Sequence, residues 1–67
     1  MAVKNRLKEI RMKEFMMNQR EFSSKILEMD YRKYNNYENG TVPSAESMLY
    51  IAKKLNRLVE DIFYLED

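Results

Sequence analysis

The stretch Tyr31-Arg32-Lys33-Tyr34-Asn35-Asn36-Tyr37 gathers several multi-functional hydrogen-bonding side chains within a short span. A guanidinium offers a rigid fork of donors, and a carboxamide offers a donor beside an acceptor. Arg32 therefore suits the O6/N7 edge of guanine and Asn36 the N6/N7 edge of adenine. On a helix at about 100° per residue, Tyr31, Asn35, Arg32 and Asn36 fall at about 0, 40, 100 and 140°, whereas Tyr37 and Tyr34 fall at about 240 and 300°. One side is then polar, while the other carries two rings able to pack on a domain. Taken alone, this helix fits an ordinary solvated face equally well.

Other chemistries are excluded by composition. With no cysteine and no histidine in 67 residues, the chain has no thiol nucleophile, no disulfide, no Ser-His-Asp triad and no metal site built on imidazole or thiolate. Glu60 and Asp61 are chain neighbours and so point about 100° apart on a helix, poor geometry for a paired-carboxylate site. The sequence thus predicts no enzyme, no cofactor, no metal and no small-molecule ligand. No apolar run approaches the roughly 20 residues that span a bilayer, and the start Met1-Ala2-Val3-Lys4 lacks a signal-peptide core, so a cytoplasmic protein without membrane contact is expected.

A helical scaffold must position these groups. One glycine, one proline and a 45% hydrophobic fraction predict a single all-α domain over residues 1–67, a compact bundle of about five short helices. Leu7, Ile10 and Phe15 recur near helical spacing in a first helix over residues 4–15, started by Asn5 or a neighbour. Asn18-Gln19-Arg20-Glu21 has the form of a capping box opening a second helix over 19–27, with Phe22, Ile26 and Leu27 as its apolar stripe. Asp30 caps a third helix over 31–38, which Asn39-Gly40 stops in left-handed geometry. After the Thr41-Val42-Pro43 loop, Ser44 caps a fourth helix over 45–55 with Met48, Leu49, Ile51, Ala52 and Leu55 on its apolar face, and Asn56 ends it. Val59, Ile62 and Phe63 suggest a fifth helical turn or two. Met12, Met16, Met17, Met29 and Met48 read as adaptable core fillers.

The net charge of +1 conceals a division. Residues 1–33 hold nine Lys/Arg against five Asp/Glu, and residues 34–67 hold three against six, giving +4 and −3. The basic first half points toward an anionic partner, although solvated helix faces explain the same split.

Six pieces in order carry a family resemblance: Asn5-Arg6-Leu7-Lys8-Glu9-Ile10-Arg11, Asn18-Gln19-x-Glu21-Phe22, Tyr37-Glu38-Asn39-Gly40, Pro43-Ser44-x-Glu46, Ile51-Ala52-Lys53-Lys54-Leu55 and Val59-Glu60-Asp61-Ile62-Phe63. The chain resembles the Cro/CI-type (lambda-repressor-like, XRE) helix-turn-helix family over residues 5–63. Against that pattern the stretch from Arg11 to Gln19 is one residue long, as is the turn Ile26-Leu27-Glu28-Met29-Asp30, which lacks the usual glycine. The loop Gly40 to Pro43 is one residue short. A turn without glycine is expected to use its extra residue to avoid positive φ.

The resemblance implies roles. Tyr31, Arg32 and Asn36, with Asn35 close by, align with base-reading positions. Gln19 aligns with a phosphate-bonding glutamine, Asn39 with a backbone-contacting asparagine that equally serves as a helix terminator, and Arg20, Lys33 and Thr41 are further phosphate candidates. Arg11 and Glu38 align with an internal salt bridge. The implied function is that of a sequence-specific regulator on double-stranded DNA, a repressor that occludes a palindromic operator as a homodimer. The run Ile62-Phe63-Tyr64-Leu65 is the expected dimer contact, because periodicity turns at least one of four consecutive apolar residues outward. The competing function is a protein-interaction module on the same fold, such as the antitoxin of a toxin-antitoxin pair.

Overall fold

The computed structural model describes residues 2–67. It is mostly helical, but a two-stranded antiparallel sheet makes it not purely all-α. Strand β1 (Ala2–Asn5) leads into helix α1 (residues 7–15), followed by α2 (residues 19–26), α3 (Tyr31–Glu38), α4 (Ala45–Leu55), a 3-10 turn at Val59–Asp61 and strand β2 (Phe63–Glu66). One core joins them, with Leu7 and Ile10 of α1, Phe22 of α2, Leu27, Tyr34 and Tyr37 of α3, Ile51, Ala52 and Leu55 of α4, and Ile62 and Phe63.

Both chain ends depart from expectation. The first helix begins at Leu7, not residue 4, because residues 2–5 pair with residues 63–66 in the register Ala2↔Glu66, Val3↔Leu65, Lys4↔Tyr64 and Asn5↔Phe63. Asn5 uses both ends of its carboxamide at this junction: Oδ1 accepts from the Leu7 amide at 3.1 Å and Nδ2 donates to the Tyr37 carbonyl at 2.9 Å. The expected fifth helix is one 3-10 turn, since Phe63 already belongs to β2. Ile62 and Phe63 lie in the monomer core and Tyr64 is half-covered beneath the Arg6 guanidinium, 4.3 Å from its ring centre. The dimer surface expected over Ile62–Leu65 therefore shrinks to Leu65 and the flank of Tyr64.

The first two helices each change type part-way. α1 is an α-helix over Leu7–Ile10 and a π-helix over Arg11–Phe15, and α2 is an α-helix over Gln19–Glu21 and a π-helix over Phe22–Ile26. A π-turn bonds residue i to i+5, so residues five apart share a face. That matches the apolar spacing of Ile10 to Phe15 and of Phe22 to Leu27, which a 3.6-residue period would rotate apart. Phe15, Phe22 and Tyr34 then pack one against the next with their rings inclined by 60° and 58°, ring centres 5.2 and 5.5 Å apart.

Met16, directly after the first π-helix, and Glu28, two residues after the second, are both left-handed at φ 51°, whereas Leu27 between Ile26 and Glu28 stays at φ −87°. The extra residue in the α2–α3 turn therefore does not remove positive φ, contrary to expectation; widening the helix leaves the chain still needing a reversal. Gly40, at φ 114°, ends α3, with Asn39 itself at φ −84°, and Asn56 at φ 55° ends α4. Asn18, Asp30 and Ser44 accept from the Glu21, Lys33 and Ser47 amides at 2.8, 3.1 and 3.2 Å. Glu21 does not complete the capping box and instead faces Lys25. Among the methionines, Met17, Met29 and Met48 pack on the core, but Met12 and Met16 are exposed, as is Leu49, which was expected on the apolar face of α4. Among the described residues no helix is long and apolar enough to cross a membrane.

Met16 is 84% exposed and held in left-handed geometry. Met16→Gly removes a β-carbon penalty of about 1–2 kcal/mol against a backbone-entropy loss of about 0.5–1 kcal/mol. The expected outcome in urea unfolding is a gain of about 0.5–1 kcal/mol, seen as a higher midpoint at unchanged slope.

Candidate nucleic-acid interface

Helix α3 forms because Asp30 caps its first turn and Gly40 its last, with the Gly40 and Thr41 amides donating to the Tyr37 and Asn36 carbonyls. Tyr34 and Tyr37 are buried, so the opposite side faces out. There Arg32, Lys33 and Asn36 are exposed and Tyr31 and Asn35 half-exposed. No hydrogen bond or ion pair engages the side chains of Arg32, Asn35 or Asn36 within the described residues.

The start of α2 lies against the start of α3. The Arg20 guanidinium stands 4.3 Å from the centre of the Tyr31 ring, and the Tyr31 hydroxyl donates to Gln19 Oε1 at 3.4 Å. Arg11, Asn18, Gln19, Arg20 and Tyr31 line a shallow depression here. Tyr31 is thus fixed from two sides, a restraint that spacing along α3 alone does not reveal. Gln19 is also less free than expected, since its Nε2 donates to Glu38 Oε1 at 2.9 Å. A phosphate at this corner would meet the remaining carboxamide hydrogen, the Arg20 guanidinium and the first amides of α2. Asn39 and Thr41 are exposed beyond the far end of α3, and Lys33 is exposed on its outer side.

Behind this face sits a buried ionic network. Arg11 Nε donates to Glu38 Oε2 at 2.8 Å and its Nη2 to Oε1 at 3.3 Å, while Nη1 donates to the Met17 carbonyl at 2.9 Å. The Tyr34 hydroxyl donates to Glu38 Oε2. Only 11% of the Arg11 side chain and 3% of the Glu38 side chain reach solvent. Burial opposes charge on Glu38, but hydrogen bonds from Arg11, Tyr34 and Gln19 and the Arg11 charge outweigh it and hold the carboxyl below its usual range. The Glu38 hydrogen bond raises the Arg11 pKa in turn, and burial followed by that same carboxylate pushes the Tyr34 hydroxyl above the phenolic range. Every charge and donor in the network is satisfied, which makes it a scaffold for the outer face. Neither Arg11 nor Glu38 is free to meet a ligand.

Removing one member of a buried pair strands the other, at about 3–5 kcal/mol. Glu38→Gln should lose on that order of stability at neutral pH, and an Arg11/Glu38 double-mutant cycle should show strong coupling. Because Glu38 titrates lower in the folded than in the unfolded chain, its stabilisation is complete above the ordinary value of about 4.5 and is lost as pH falls through the depressed folded value. The stability gap between parent and Glu38→Gln should therefore narrow on acidification, measured by urea unfolding from pH 7 to pH 3.

Compared with known proteins, the chain matches no family model, no curated protein and no solved structure.

Proposed function

We propose that this protein is a sequence-specific regulator of the Cro/CI helix-turn-helix type that binds double-stranded DNA and occludes a palindromic operator as a homodimer. The observation that carries this reading is the division of α3. Its two tyrosines at 34 and 37 are buried, while Arg32, Lys33 and Asn36 face outward with no internal partner for the two base-reading groups. A helix fixed from behind and furnished in front with a guanidinium fork and a carboxamide is what major-groove reading requires. In this reading Arg32 takes guanine, Asn36 takes adenine, and Tyr31 and Asn35 touch a base or the sugar-phosphate edge. Gln19, Arg20, Lys33, Asn39 and Thr41 meet phosphates on either side and set the register.

Selection of bound sites from random duplex DNA, followed by titration of the selected duplex across salt concentrations, tests the proposal. Affinity should fall steeply as salt rises, because phosphate contacts release counterions. Binding that ignores salt, or no binding to duplex, would overturn it in favour of the protein-interaction module. Arg32→Ala should lose about 1–3 kcal/mol on the selected duplex and relax preference at one base pair, with stability unchanged.

A single α3 reads few base pairs, and two copies about 34 Å apart on a two-fold site multiply the discrimination. Leu65, 64% exposed on β2, is the exposed apolar group that remains of the Ile62–Leu65 run, beside the flank of Tyr64. Sedimentation at micromolar concentration should give a dimer that Leu65→Glu converts to a monomer; a monomeric parent protein would remove the dimer.

A further inference from the structure

The turn between α2 and α3 sets the angle at which α3 leaves the domain, yet its left-handed position is occupied by Glu28, where a glycine would be free of β-carbon strain. Two side chains of α4 converge on it. The Tyr50 hydroxyl lies 2.8 Å from the Leu27 carbonyl oxygen and 3.1 Å from that of Glu28, so its one proton serves the first two carbonyls of the turn. Lys54, one helical turn further along α4, stands 3.3 Å from Glu28 Oε1 and 5.5 Å from the centre of the Tyr50 ring. The turn is closed from its other side by the Met29 amide, which donates to the Ser23 carbonyl at 2.9 Å.

We infer that Tyr50, supported by Lys54, is a positioning residue that holds the glycine-free turn in its left-handed form and so fixes the docking angle of α3. The docking consequence rests on the DNA reading above; the clamp itself does not. A carbonyl pair at a helix end otherwise bonds only to water, and water imposes no direction. A phenol rooted in α4 does, because its ring is carried by the longest helix of the domain, which packs on the core through Ile51, Ala52 and Leu55. The Lys54 carboxylate contact is exposed on the Glu28 side and contributes little by itself. The hydroxyl is therefore the operative group, and Glu28 is the residue whose conformation it maintains.

Tyr50→Phe deletes the hydroxyl and keeps the ring. Amide exchange in the DNA-free protein should then quicken roughly three- to tenfold at Met29, with Leu55 of α4 unchanged. On DNA, the ratio of affinities for the selected and a scrambled duplex should fall at least threefold with the salt dependence unaltered, because no phosphate contact is lost. Adding Glu28→Gly, which adopts the left-handed form without strain, should restore both readouts. Unchanged Met29 exchange in Tyr50→Phe overturns the clamp. Faster exchange with intact discrimination overturns the docking role, as does failure of Glu28→Gly to rescue. If the parent protein discriminates no duplex, the DNA reading fails and takes the docking role with it, while the exchange result still decides the clamp.

Discussion

The carboxylate of Glu38 is the point on which the arrangement of helices depends. It belongs to α3, yet it is neutralised by Arg11 of α1 and bonded by Gln19 of α2. A charge with 3% of its side chain exposed is tolerated only while its donors remain in place. Apolar contacts such as Phe15 on Phe22 change gradually when helices slide, whereas this cluster loses a charged hydrogen bond within an ångström or so of displacement. Apolar burial holds the domain together, and Glu38 specifies how three of its helices meet.

The same cluster ties the edge of the outer face to the core. Gln19 accepts from Tyr31 on one side and donates to Glu38 on the other, so the chain of bonds runs from the buried ion pair to a residue at the edge of the open surface. Arg20 covers the Tyr31 ring from the solvent side. Arg32 and Asn36, one helical turn apart, are then presented by a backbone already fixed at its N-terminal end, so a partner need not supply the free energy of ordering it.

Much of this was legible in local sequence. The bounds of α3 and α4 follow from Asp30, Gly40, Ser44 and Asn56, whose side chains or conformations act within a few residues. Burial of Tyr34 and Tyr37 follows from the helical wheel. The Arg11–Glu38 pairing spans 27 residues and came from family resemblance, because no local rule links the two. β1 was missed since Ala2-Val3-Lys4-Asn5 has little strand character without its partner 58 to 64 positions away. The π-turns left a trace in the five-residue steps Ile10 to Phe15 and Phe22 to Leu27, easily read as imperfect helix. Tyr50 passed unnoticed because its value lies in two carbonyls contributed by a different element.

The pairing of β1 with β2 brings the two ends of the domain to one corner, with Ala2 opposite Glu66 and the Arg6 amide donating to the Ile62 carbonyl at 2.8 Å. The helices pack through contacts near in sequence, whereas β1 finds its partner only at the other end of the chain. Closing this ribbon therefore joins sequence-distant ends at a loop-entropy cost. Any polypeptide attached before Ala2 or after Glu66 would leave the domain in the same neighbourhood. A short linker between these ends, with new termini opened at the exposed Thr41–Val42 loop, would preserve every helix while making the β1–β2 contact a local one.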